Sequence, residues 1–95
     1  MNRLDNLPYK LNDSYSIGQE ISLGRHNDND IVLKDPYISK HHFRIVKDEN
    51  EYFIEDLNSS NGTYVNGERI FDVKKLAYGD IIKVGNIEFM FINQE

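Results

Sequence analysis

Apolar and polar residues alternate along this chain in short runs, and the three-to-four-residue spacing of an amphipathic helix is hard to find. Runs of β type fall at Ile21–Gly24, Ile31–Leu33, His42–Val46, Tyr52–Leu57, Thr63–Val65, Glu68–Ile70, Ile81–Val84 and Ile87–Ile92. Between them lie "NDND", "DPY", "KDEN", "NSSNG", "NG", "YGD" and "GN", rich in the Asn, Asp and Gly that turns require. Nearer the start, "YKLND" and "YSIG" predict one or two further strands. Many short strands at this spacing predict an all-β sandwich or barrel. Neither a linker nor a repeat nor a low-complexity segment interrupts the pattern, so residues 1–95 read as one domain.

Within the runs, alternation assigns faces. Phe43 and Ile45 point one way, and His42, Arg44 and Val46 the other. In "EYFIEDL" apolar residues fall on both faces, which predicts a strand buried on much of both sides. Ile87, Phe89 and Phe91 share a face opposite Met90 and Ile92, and are simplest as core.

Two Asn-Gly pairs stand out. Asn66-Gly67 lies directly between "TYV" and "ERI", the arrangement of a two-residue type I′ hairpin, and is expected to do no more than turn the chain. Asn61-Gly62 follows "NSS", so residues 58–62 form a loop of about five polar residues that can present groups outward.

Charge and composition narrow the function. The net charge is −5, which argues against a broad basic face for nucleic acid but leaves room for a local anion site. The absence of cysteine excludes disulfides, Cys-bearing zinc sites and thiol catalysis. The start "MNRLDNLPYK" lacks the apolar core of a signal peptide, and "FMFI" is too short to span a membrane. The expectation is a cytoplasmic protein that engages neither membrane nor nucleic acid.

The polar candidates cluster in three loops: "LGRHNDND", "YISKHHF" and "NSSNG". Each begins or ends a strand, so a sandwich could bring them to one end. Together they hold a guanidinium, an ammonium, hydroxyls and an amide, donors suited to a phosphate dianion.

The ordered set "GR", "SKHH" and "LNSSNGTYVNG" resembles the forkhead-associated (FHA) domain, a phosphothreonine-peptide-binding module. That family's motif runs Gly-Arg, Ser-Arg-x-His, then Ser-Thr-Asn-Gly-Thr-x-Val-Asn-Gly. The resemblance covers about residues 18 to 92 and implies an FHA/SMAD-like β-sandwich of about eleven short, mostly antiparallel strands. It implies that Arg25, Ser39, Lys40 and Ser60 meet the phosphate and that Asn61 binds the peptide backbone. Gly24, His42 and Gly62 would be structural, with His42 bracing the loops, and Tyr37 and Ile38 would touch the peptide beyond the phosphothreonine. Lys40 stands where the family often has Arg, offering a charge without a bidentate fork; Ser60 stands where Thr is usual. The implied partner is a phosphothreonine-containing protein, a substrate of a serine/threonine kinase, in kinase-dependent signalling; the Asn-, Lys- and Ile-rich composition points separately to an AT-rich bacterial genome. The chain would act as a monomer, as one module of a longer protein, without cofactor and without catalysis. The alternative is a degenerate FHA scaffold that assembles proteins independently of phosphate.

Three other readings carry less weight. Ser39 and His42 could be set into a hydrolase triad, but Ser-x-x-His at a strand start fits a bracing histidine better. His26, His41 and His42 could suggest zinc, yet His41 and His42 are adjacent and should face opposite sides of a strand, so no metal site is expected. "NDNDIVLKD" lacks the glycine and terminal glutamate of an EF-hand loop.

Overall fold

The computed structural model describes residues 1–4 and 15–92. Of residues 2–4 only the strand itself is defined, and "YKLND" lies outside the described part. The described residues form ten strands: β1 (Asn2–Leu4), β2 (Glu20–Gly24), β3 (Ile31–Val32), β4 (Phe43–Asp48), β5 (Glu51–Asp56), β6 (Thr63–Val65), β7 (Glu68–Ile70), β8 (Val73–Lys75), β9 (Ile81–Val84) and β10 (Ile87–Met90). They form two five-stranded sheets, in the orders β1-β10-β9-β6-β7 and β3-β2-β4-β5-β8. Every pairing is antiparallel except β2 with β3. The all-β sandwich expected from the alternation is therefore the fold, with ten strands among the described residues where about eleven were anticipated for the chain.

Alternation explains the core. Ile21 and Leu23 on β2, Phe43 and Ile45 on β4, and Ile54 on β5 are buried in one sheet. Val65, Ile70, Ile82, Val84 and Phe89 are buried in the other, and all belong to one apolar cluster. On the outer face of β4, Arg44 is in register with Glu55, and its Nε donates to Glu55 Oε1 at 2.6 Å. Cross-strand pairs of this kind set register as well as adding attraction.

Three local expectations need correction. Tyr15 and Ile17 of "YSIG" form no strand; both pack against the core, and Tyr15 exchanges backbone hydrogen bonds with Met1. Strands β1 and β8 were not anticipated. All three residues of β8 are exposed, so it carries no apolar alternation and is held by backbone pairing with β5 at the sheet edge. In "EYFIEDL" only Ile54 is fully buried; Tyr52, Phe53, Glu55, Asp56 and Leu57 are half-buried and Glu51 is exposed.

Candidate functional site

The site is assembled by two loops that touch through their backbones. Where β2 ends, the Arg25 N–H donates to Ser39 O at 2.9 Å and the His26 N–H to Lys40 O at 3.1 Å. Contact this close requires Gly24: a Cβ there would lie 2.2 Å from Lys40 O. Its φ is not positive, so Gly24 serves a close approach of two chains rather than a turn. Asn29, buried, ties the same loops by donating from Nδ2 to His26 O at 2.8 Å and Lys40 O at 2.7 Å.

His42 links the second loop to the third. Ser39 N–H donates to its Nδ1 at 3.1 Å, and its Nε2 is 2.8 Å from Gly62 O. A backbone N–H can only donate and a carbonyl only accept, so the ring is the Nε2–H tautomer with both nitrogens engaged. The Ser39 hydroxyl is not its partner. Instead, Ser39 Oγ accepts from Ser60 N–H at 3.1 Å, and Asn61 Nδ2 donates to Tyr37 O at 2.9 Å.

The third loop, residues 57–62, is stiffened from beneath by Asp56. Its carboxylate accepts from Ser59 Oγ at 2.6 Å, Ser59 N–H at 3.0 Å and Thr63 Oγ1 at 2.6 Å, while Ser59 Oγ accepts from Gly62 N–H at 3.0 Å. Partial burial works against ionisation of Asp56, but the Ser59 and Thr63 hydrogen bonds, with His42 nearby, outweigh it and hold the carboxyl below its usual range. Gly62 has φ 92°, and a Cβ on it would meet Arg69 Nε at 2.6 Å. Here the left-handed backbone favours glycine, whereas the exposed Arg69 side chain could swing aside.

At this end of the sandwich the polar candidates fall into one neighbourhood. Arg25 and Ser39 are half-buried, whereas Lys40, Ser60 and Asn61 are exposed. Among the described residues, neither Arg25 nor Lys40 has an acidic ion-pair partner. An open groove of about 550 Å³ begins at Asn61 and Tyr37 and continues past Tyr64, Lys83, Gly85 and Asn86. Tyr37 is 60% exposed, but Ile38 is 1% exposed. Ile38 is a core residue beside Gly85, and the expectation that it touches a ligand is corrected.

The residues that support the loops were overlooked in the sequence. Asp56 carried a local signal, the Asp-x-x-Ser spacing of a side chain that folds back on a turn. Asn29, Arg69 and Lys34, whose Nζ donates to Arg25 O at 3.0 Å, carried none, because their partners are distant in sequence or on the backbone.

Residues 21–85 match the model of the FHA domain. The chain belongs to the FHA-domain family. The transcriptional regulatory protein EmbR of Mycobacterium tuberculosis is 46% identical over 69 residues, 73% of this chain and 18% of EmbR. EmbR in complex with a low-affinity phosphopeptide superposes with a TM-score of 0.77 at 43% identity, over 79% of this chain and 20% of that one. The FHA domain of CT664 from Chlamydia trachomatis superposes with a TM-score of 0.85 at 27% identity, over 99% of this chain and 95% of that one. The chain spans less than half the length of the curated relatives it matches. As an FHA domain, it is a member of a family of binding modules. Among the described residues, no helix is long and apolar enough to cross a membrane.

Proposed function

We propose that this FHA domain binds phosphothreonine-containing segments of partner proteins by reversible docking, without chemistry of its own. The observation that carries this reading is the convergence of Arg25, Ser39, Lys40 and Ser60 on one loop surface with, among the described residues, no acidic ion-pair partner for either cation. In that arrangement Arg25 and Lys40 neutralise the phosphate, and the Ser39 and Ser60 hydroxyls donate to its oxygens. The Asn61 amide turns from Tyr37 O to the peptide backbone. Gly24, His42 and Gly62 hold the loops in place beforehand, which lowers the ordering cost of binding. Hydrogen bonds to charged groups contribute roughly 1.5–3 kcal/mol each before desolvation is subtracted, so several are needed for useful affinity.

The family resemblance, and the phosphopeptide bound to EmbR, support the same ligand class. The peptide beyond the phosphothreonine lies in the groove past Tyr37, where Lys83 favours an acidic residue. On this reading a serine/threonine kinase supplies the phosphate, the encounter takes place in the cytoplasm, and the domain meets its partner as a monomer. The absence of catalysis is supported by His42, whose two nitrogens are committed to Ser39 N–H and Gly62 O and cannot activate the Ser39 hydroxyl.

The test is a calorimetric titration with matched peptides carrying Thr, phosphothreonine or phosphoserine, repeated on Arg25→Ala. Binding should need the phosphate, prefer phosphothreonine, weaken with salt and fall sharply in Arg25→Ala. Equal binding of plain and phosphorylated peptides would instead establish a phosphate-independent assembly scaffold.

A further inference from the structure

The histidines that meet in the fold are not the sequence neighbours His41 and His42. His42 is buried under the loops, with both ring nitrogens engaged. His26, two residues after Gly24, lies beside His41, with ring centroids 5.6 Å apart. Asp28 sits between them: its Oδ1 is 2.8 Å from His26 Nδ1 and 2.9 Å from His41 Nε2. One ligand atom from each of the three residues lies within 4.8 Å of the others.

This juxtaposition is built into the backbone. His26 N–H donates to Lys40 O, and buried Asn29 donates from one amide to both His26 O and Lys40 O. The backbones that carry the two imidazoles are therefore fixed before any ligand arrives. The polar groups are also imperfectly matched. His26 Nδ1 faces the Asp28 carboxylate at 2.8 Å and the Asp28 N–H at 3.2 Å. A nitrogen that accepts from the N–H points a lone pair at the carboxylate, and one that donates to the carboxylate opposes the N–H. A cation between nitrogen and carboxylate relieves the repulsion between lone pair and carboxylate, and in exchange the long 3.2 Å contact from the Asp28 N–H is given up.

We infer that His26, Asp28 and His41 form a binding site for a divalent transition-metal ion of the zinc class, which joins the loop after β2 to the loop before β4. Two imidazoles and a carboxylate suit zinc and its neighbours and leave open positions for water. Bonds of about 2.1 Å put tetrahedral ligand atoms about 3.4 Å apart, within reach of small side-chain rotations here. All three side chains are about half exposed, so an ion can enter without opening the fold. Arg25 and Lys40 immediately precede His26 and His41, so the ion fastens together the two loops that carry the cations of the candidate phosphate site.

The experiment uses the whole chain, freed of metal by chelation and titrated with Zn²⁺ alone, followed by calorimetry and by NMR of the imidazole nitrogens. One ion should bind per chain, the His26 and His41 nitrogens should shift, and those of His42 should not. The Tm should rise with zinc concentration. His26→Ala, His41→Ala and Asp28→Asn are surface changes that keep the fold, and each should weaken zinc binding by at least about tenfold. Undetectable zinc binding, binding that persists in the His26→Ala/His41→Ala double variant, shifts centred on His42, or equal binding of Mg²⁺ would each overturn the inference. The phosphopeptide titration does not enter this outcome, so the two readings fail separately.

Discussion

Asn66 does more than turn a hairpin, and its removal gives a measurable test of how the second Asn-Gly pair works. Its φ is 52° and that of Gly67 is 85°, the left-handed pair of a type I′ turn. Its side chain also reaches across to the edge of β9: Nδ2 donates to Asp80 Oδ1 at 2.9 Å, and Oδ1 accepts from Ile81 N–H at 2.9 Å. The sequence-based expectation that the residue only turns the chain is therefore too small. Asn66→Ala loses both side-chain bonds, worth roughly 0.5–1.5 kcal/mol each. It also forces alanine into the left-handed region at a cost of roughly 1–2 kcal/mol. The expected loss is about 2–5 kcal/mol. Asn66→Gly loses the same two bonds without the conformational strain, but loosens the unfolded chain by roughly 0.5–1 kcal/mol. Glycine should therefore be the milder substitution, by about 0.5–1 kcal/mol. Urea denaturation with a constant m-value would measure both changes as shifts in midpoint. Phosphopeptide affinity should persist in the folded fraction of each variant, since Asn66 lies outside the loop surface proposed for the phosphate. An Asn66→Ala protein as stable as the parent, or less damaged than Asn66→Gly, would refute the reasoning.

Three further outcomes are expected. Asn61→Ala should unfold at nearly the parent's urea midpoint yet lose phosphopeptide affinity by at least about tenfold, about 1.4 kcal/mol, read by calorimetry. Gly24→Ala should cost about 1–3 kcal/mol, since its Cβ cannot share space with the Lys40 carbonyl, and should weaken the same peptide by parting Arg25 from Ser39. Asp56 has a folded-state pKa below its unfolded one, so its contribution to stability is complete above the ordinary aspartate range near about 4 and fades as pH falls through the lower folded value. Urea midpoints measured from neutral to acid pH should show that acid-side loss in the parent and a smaller one in Asp56→Asn.

What the sequence determined by itself is what neighbouring residues decide between them. Alternation in "FRIV" and "IEFMFI" named the inward residues, because successive side chains on a strand must point to opposite faces. Asn66-Gly67 announced its turn, because few residues tolerate a left-handed backbone. The ordered Gly-Arg, Ser-x-x-His and Asn-Gly pieces announced a family. Tertiary structure decided whatever depends on a partner far along the chain. Edge strand β8 has no apolar pattern and exists only because β5 offers it backbone groups. Ile38, next to exposed Tyr37, turned inward because the Gly85 turn packs over it. Gly24 reads as a turn residue until Lys40 is seen lying against it. His41 faces His26 rather than following the fate of His42, because Asn29 and the backbone hold two distant loops in register. Local sequence sets the conformations a segment can adopt, and the closure of two loops selects which side chains become neighbours.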